Sequence, residues 1–438
     1  MDDTKQFNLQ MTRNRKFTDG WAFAIYVVYM ITFIAVSYST NMSKHPFKIA
    51  LFADKSNYVI PLIELGFMIT FNILMLLMLT VMPKIFIYAG ILSAPVLSII
   101  SLVFCCKTGN VTSIVFSAVI VCLSIIMSFA IYYVVSKRIN DICALIKSGV
   151  RICLNYFFTL FSSFFALSLI SVILTILVIL SAENKDTLEL NMSLGGIALG
   201  WTFFLFLYVF YMFCCALVSS HVINDTNNER DKFAVSMNAR YITMMSLGTS
   251  AFASLIYTIV FLLKNTLEDG SRRNSNDNYN RPGSIFMSFV YFIMILFVSV
   301  LEQIIKVFNR FALSYAAIRG TSLYESFKQS TEGMAASDSL GLMTDFSIEY
   351  IFYFMSFVQF VFFASTNYLY FRMFVTTDVA MVTLIVSAVL AILSTHNLLT
   401  MIPASTATLS FIFALDENRI KAYDKKLYET FKRINKYE

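Results

Sequence analysis

Charged residues are scarce in this chain. Asp, Glu, Lys and Arg make up 14% of its 438 residues and apolar types 58%, whereas ordinary soluble domains carry about 25% charge. That balance excludes a soluble globular protein. Histidine is scarcer still, with only His45, His221 and His396. There is no H-E-x-x-H, no P-loop and no glycine-rich dinucleotide fingerprint. The paired acidic motif of a membrane phosphatidyltransferase is missing too. No cofactor, metal site or ATPase module is expected, and the case for an enzyme is thin. Cysteine numbers seven, without a C-x-x-C. The spacing suits small apolar residues in or beside helices rather than a disulfide framework.

What the chain does contain is long uncharged apolar runs, each close to the ~20 residues that span a bilayer core. We place about ten of them: 21–38, 58–81, 85–106, 111–135, 156–180, 195–222, 241–263, 285–307, 346–370 and 379–415. The last is too long for one straight crossing, and Pro403 provides a site for a kink. The first run follows Arg13, Arg15 and Lys16 and lacks a cleavable-signal pattern. The expected fold class is an all-α, polytopic integral membrane protein. A cytoplasmic tail (1–20) precedes the transmembrane bundle (21–415), and a basic cytoplasmic tail (416–438) follows it.

Lys and Arg orient these spans. With the N-terminus inside, 23 of the 33 basic residues fall on the cytoplasmic side and 10 outside, so both termini are expected in the cytoplasm. The net charge of +6 follows from these basic links and does not imply nucleic acid. Sequons at Asn41 and Asn191 fall outside as possible glycosylation sites; Asn110 lies too near the membrane, and Asn224 falls inside. Segment 137–153 sets Ile139, Ile142, Ile146, Val150 and Cys153 near one face, with Lys137, Arg138, Lys147 and Arg151 as its charge. It suits an amphipathic helix in the cytoplasmic interface, or a solvated connector. Residues 264–284, rich in Asn, Ser, Arg and Gly, predict an irregular outer link.

Acids within spans are costly and need a reason. Glu302 shares a helical face with Lys306, which suggests either a structural ion pair near the inner interface or a cation contact. Glu64 lies inside the outer end of its span, as a contact between helices or an attraction for a cation. Ser246, Ser250 and Ser254 recur at i, i+4 beside Gly248, Ala251 and Ala253. This small-residue stripe favours close helix packing, with hydroxyl contact to a ligand as the alternative. Trp201, Tyr208, Tyr211, Tyr257 and Tyr291 offer ring faces that attract quaternary ammonium, although most aromatics in such a chain are core or lipid-facing.

Several segments together resemble the choline transporter-like family, including its fungal branch. Ser246-Leu247-Gly248-Thr249-Ser250-Ala251-Phe252-Ala253-Ser254-Leu255 is similar to the family's S-L-G-S-x-x-F-G-S-L. Leu301-Glu302, Lys306, Phe308-Asn309-Arg310, Tyr315 and Gly320 follow the family's order of Glu, Lys, Asn-Arg, Tyr and Gly. Phe411 to Asn418 resembles the C-terminal F-x-x-D-x-E-x-N region, and Lys16-Phe17-Thr18-Asp19 resembles the lead into the first span. The resemblance implies a plasma-membrane transporter of choline or a similar small organic cation, passive or potential-driven. On this reading the path runs through spans six to eight. A membrane scaffold or lipid-handling protein is the alternative, and a lipid-metabolising enzyme using His396-Asn397 is a third. Partners are the lipid bilayer and the cation; oligomeric state is open.

Overall fold

The structure is a computed structural model. It describes residues 15–41, 66–108 and 111–166 with short gaps, 188–223, 232–277, 282–336, 347–365 with short gaps, and 400–434. Its ordered elements are helical: α1 (Gly20–Asn41), α2 (Pro83–Thr108), α3 (Val111–Asn155), α4 (Leu188–Ile223), α5 (Lys232–Met245), α6 (Leu247–Asp277), α7 (Pro282–Arg319) and α8 (Leu323–Ala336), then α9 (Thr400–Leu415), α10 (Glu417–Tyr423) and α11 (Lys425–Ile434). Among the described residues five helices are long and apolar enough to cross a membrane: α2, α3, α4, α6 and α7. The protein is an all-α membrane protein. The other expected spans are too short or lie wholly or partly outside the described residues.

The chain forms two compact units, residues 1–47 with 158–336, and residues 48–157 with 337–438. In the first, α4 is central. Every residue from Phe210 to Ile223 is buried, which removes any apolar-versus-polar periodicity and marks a helix walled by protein. Cross-contacts fix the directions of its neighbours. Tyr26 meets Thr202 and Tyr29 meets the Leu194 carbonyl, so α1 runs antiparallel to α4. Thr18 meets Thr249 and Trp21 packs on Phe252, so α6 runs parallel to α1. Tyr208 meets Asn309 and Tyr211 meets Ser314, so α7 runs parallel to α4.

The N-terminal lead ties one end of this unit together. Arg15, buried, donates to the carbonyls of Ala316, Ala317 and Ile318 at 3.3, 2.8 and 3.0 Å. These are among the carbonyls a helix end leaves without partners. Gly320 closes α7 with φ +72°, the left-handed turn that glycine adopts without a Cβ clash. Asp19 also takes positive φ, 51°, which Asp tolerates better than most residues. Its carboxylate accepts from Thr249 Oγ1 and from the Leu323 amide at the start of α8.

In the second unit Ser98 faces Ser124 and Cys105 faces Ser117, making α2 and α3 an antiparallel pair. Their outer faces carry exposed Leu92, Val103, Phe104, Leu123, Ile126 and Phe129, as lipid contact requires. Backbone geometry breaks at Arg138 (φ −118°, ψ 15°), close to where the apolar run was expected to end. Beyond it the apolar side of 139–153 is covered by protein: a Cβ on Gly149 would collide with Ser405, and the Cys153 thiol points to the Met401 carbonyl at 3.8 Å. After α9, Asp416 caps α10 by accepting from the Asn418 amide. The chain then folds back so that Phe431 stacks on Phe413, with ring centroids 4.4 Å apart.

Hydroxyls inside these helices bond back to carbonyls one turn earlier, as Thr258 does to Ser254 and Thr408 to Ala404. This satisfies polar groups where lipid offers no partners.

Candidate functional site

Two elements diverge from the sequence expectation in a way that creates the site. α6 continues to Asp277 where an irregular link was expected from residue 264, and α7 continues to Arg319 rather than stopping near Val307. Lys306, Asn309 and Arg310 mimic the end of a span in sequence. In the fold Asn309 and Arg310 are buried. The Asn309 amide donates to Tyr208 Oη and to the Ala253 carbonyl, at 3.3 and 3.1 Å. The polar run therefore lies inside the bundle.

This longer hairpin brings Glu302 level with Lys264, about 25 Å along each helix from the end that holds Leu247 and Arg319. Glu302 was expected near the inner interface and Lys264 in an outer link; they form an ion pair at 2.8 Å. Oε2 of Glu302 takes the Lys264 ammonium, and Oε1 accepts from Tyr257 Oη at 2.8 Å. Beside the pairing foreseen with Lys306 on the same helix, Glu302 thus has a partner across the hairpin in Lys264.

Aromatic rings enclose the Tyr257 side. The Phe204 ring meets Tyr257 edge-on at 4.5 Å, and Tyr208 meets it edge-on at 6.2 Å; Phe261 packs on Phe204 at 5.3 Å. Phe204 and Tyr208 occupy one face of α4 at i, i+4, whereas Tyr257, Phe261 and Lys264 follow one face of α6. The result is a carboxylate beside rings packed edge to face, with one ammonium already on it. Negative charge on one side and ring quadrupoles on the other are the two features that attract an organic cation.

The structure thus brings Tyr208, Tyr257 and Glu302 together and sets Trp201, Tyr211 and Tyr291 apart. Trp201 donates Nε1–H to Ser254 at 3.1 Å, and its ring packs against Tyr26 and Tyr29 in the α1–α4–α6 core. Tyr211 is fully buried and bonded to Ser314. Tyr291 is about 16 Å along α7 from Glu302 and packs beside Gly270. Glu64 and His396 lie outside the described residues, as do the side chains of Asn41, at the end of α1, and Asn191, in the first turn of α4.

The small-residue stripe splits into roles. Ser246 is the break between α5 and α6, Gly248 lies against the Thr18–Asp19 backbone, and Ser254 anchors Trp201. Ser250 Oγ is buried with no hydrogen-bond partner among the described residues. Of the later motif, Asn309 positions Tyr208, while Tyr315 and Gly320 belong to the Arg15-capped end. Trp201→Phe should remove one buried hydrogen bond and cost about 1 kcal/mol, seen as a fall in Tm of about 1 °C in detergent.

Sequence reasoning missed Lys264, Phe204 and the structural role of Arg15. A signal existed for Lys264: it lies seven residues after Tyr257, two turns on along the same face. Among the described residues no group of three His, Cys, Asp or Glu side chains is arranged to hold a metal.

Comparison with known protein families places the chain among transporters of a described kind. The sequence model described as plasma-membrane choline transporter matches residues 118–418, a stretch that contains the whole Tyr208–Tyr257–Lys264–Glu302 cluster but not the Arg15–Asp19 lead. No curated protein sequence matches the chain.

Proposed function

Because the chain belongs to the plasma-membrane choline transporter family, we propose that it carries choline itself across the plasma membrane, driven by the membrane potential. A further part of the proposal is that Glu302, Tyr257 and Tyr208 form the binding point of its path. As a member of that family the protein is a membrane transporter of choline-like substrates. The observation that carries the finer reading is the buried Glu302 carboxylate, held at 2.8 Å by Tyr257, whose ring is in turn met by Tyr208 and Phe204. A quaternary ammonium donates no N–H bond, so it needs what this cluster offers: a fixed negative charge and ring surfaces.

A permanent monovalent cation gains about 2.3 kcal/mol per 100 mV of inside-negative potential, which supports roughly 50-fold accumulation without a coupling ion. Both termini are assigned to the cytoplasm by the Lys and Arg distribution. On that assignment the end of the first unit that holds Arg15, Gly248 and Gly320 faces inward.

The test is radiolabelled choline uptake into vesicles holding the purified protein, with and without an imposed inside-negative potential. The expected result is accumulation that rises with the potential and falls about tenfold or more in Glu302→Gln. No uptake above empty vesicles under either condition overturns the choline reading. Uptake that ignores the potential overturns the driving force alone.

A further inference from the structure

We infer that Lys264 is a tethered competitor of the transported cation: its ammonium holds the Glu302 carboxylate in the empty protein and leaves it when a quaternary ammonium binds. The inference rests on the transport reading above and deepens it. Both oxygens of Glu302 are engaged, one by the Tyr257 hydroxyl and one by Lys264. Tyr257 is a neutral donor and can stay while a cation binds. Lys264 cannot, because two positive charges would then share one carboxylate in a poorly screened setting.

Access is also on the lysine side. The Lys264 side chain is 27% exposed and that of Glu302 10%, so the ammonium is the more accessible member of the pair. Lysine carries its charge on four flexible carbons and can withdraw it without moving a helix. A second acid is in place to receive it: Glu268 lies four residues on, along the same face of α6. A lysine placed N-terminal to its glutamate is the weaker order of such a pair, which leaves Glu302 as the resting partner. The exchange therefore keeps Lys264 paired throughout and adds one net positive charge, that of the substrate. It also explains how the bundle holds a buried carboxylate between transport events: the lysine stands in for the cation.

The experiment is equilibrium dialysis of purified, full-length protein in detergent with choline and with 3,3-dimethyl-1-butanol, which has choline's shape without its charge. In Lys264→Met, choline should bind about tenfold more tightly than to the parent protein, while the neutral alcohol gains nothing. In Lys264→Met combined with Glu302→Gln the gain should vanish. Equal or weaker choline binding in Lys264→Met overturns the inference while leaving the transport reading intact. So does an equal gain for the neutral alcohol, since that marks a change of packing. Absence of choline binding to the parent protein overturns the site and the inference together. If Lys264→Met misfolds, Lys264→Gln replaces it. Independently, amine labelling of Lys264 in the parent protein should change on choline saturation, and unchanged labelling overturns the exchange.

Discussion

Gly248→Leu is expected to leave no folded protein, and Gly248→Ala to cost about 3 kcal/mol. The reason is backbone, not side chain. A Cβ at Gly248 would run into the Thr18 and Asp19 carbonyls, and neither can rotate away as a flexible side chain would. Thr18 is pinned by its amide to the Met245 carbonyl at 3.1 Å and by its hydroxyl to Thr249 at 2.7 Å. Asp19 is pinned by its carboxylate to α6 and α8. Relief would have to separate α1 from α6, and with them Ala22, Tyr26 and Ala251 of the core. Gly196 is the control: nothing lies within 4 Å of its Cβ position in α4. Gly196→Ala should be neutral or stabilising by about 0.5 kcal/mol, through helix propensity alone. The measurement is the Tm and monodisperse yield of each variant in detergent. A Gly248→Ala protein as stable as Gly196→Ala would refute the contact.

The stripe around Gly248 shows how far the sequence is legible. Small residues at i, i+4 predict close approach, and close approach is found. What they cannot specify is the partner: at Gly248 it is the extended lead before α1, whereas Ala251 and Ser254 meet α1 and α4. Apolar runs likewise locate helices well and end them badly. Lys264, Lys306, Asn309 and Arg310 are all polar, and hydropathy places them in links. In the fold Asn309 is satisfied by Tyr208 and Ala253, and Lys264 by Glu302, so α6 and α7 run on past them.

That the cross-hairpin partner of Glu302 was not foreseen has the same origin. A local rule offers Lys306 at i+4, whereas the pairing observed depends on the register of the α6–α7 hairpin, set by contacts such as Asn309 with Ala253. Trp201 and Tyr211 carry the same residue types as the cluster, yet pack into the core. Residue type marks candidates, and helix face decides among them. For the spans that lie outside the described residues, the expectation of about ten stands as the sequence reading.

Arg15→Met is expected to be the second severe substitution, costing about 4 kcal/mol and lowering Tm by about 4 °C. It also sharply reduces the choline uptake proposed above. In the sequence Arg15 is one of several basic residues that orient the first span. In the fold it is a cap: two guanidinium nitrogens donate to three carbonyls at the end of α7. Its stem lies 3.5 Å from where a Cβ on Gly320 would sit. Burial lowers its pKa to about 10, so the group remains charged at neutral pH and its hydrogen bonds are charge-assisted. Methionine keeps much of the apolar stem and removes every donor, which leaves the last carbonyls of α7 without those bonds. Lysine keeps the charge as a single point and cannot fork across three acceptors, so Arg15→Lys should recover only part of the loss. The cluster at Glu302 is about 25 Å away along α7 and makes no contact with Arg15. If uptake falls in Arg15→Met, the affinity of the remaining folded protein for choline should therefore stay within about twofold of the parent. A folded Arg15→Met protein with unchanged Tm would show that the cap is dispensable. A selective loss of choline affinity at unchanged Tm would place Arg15 in the path instead.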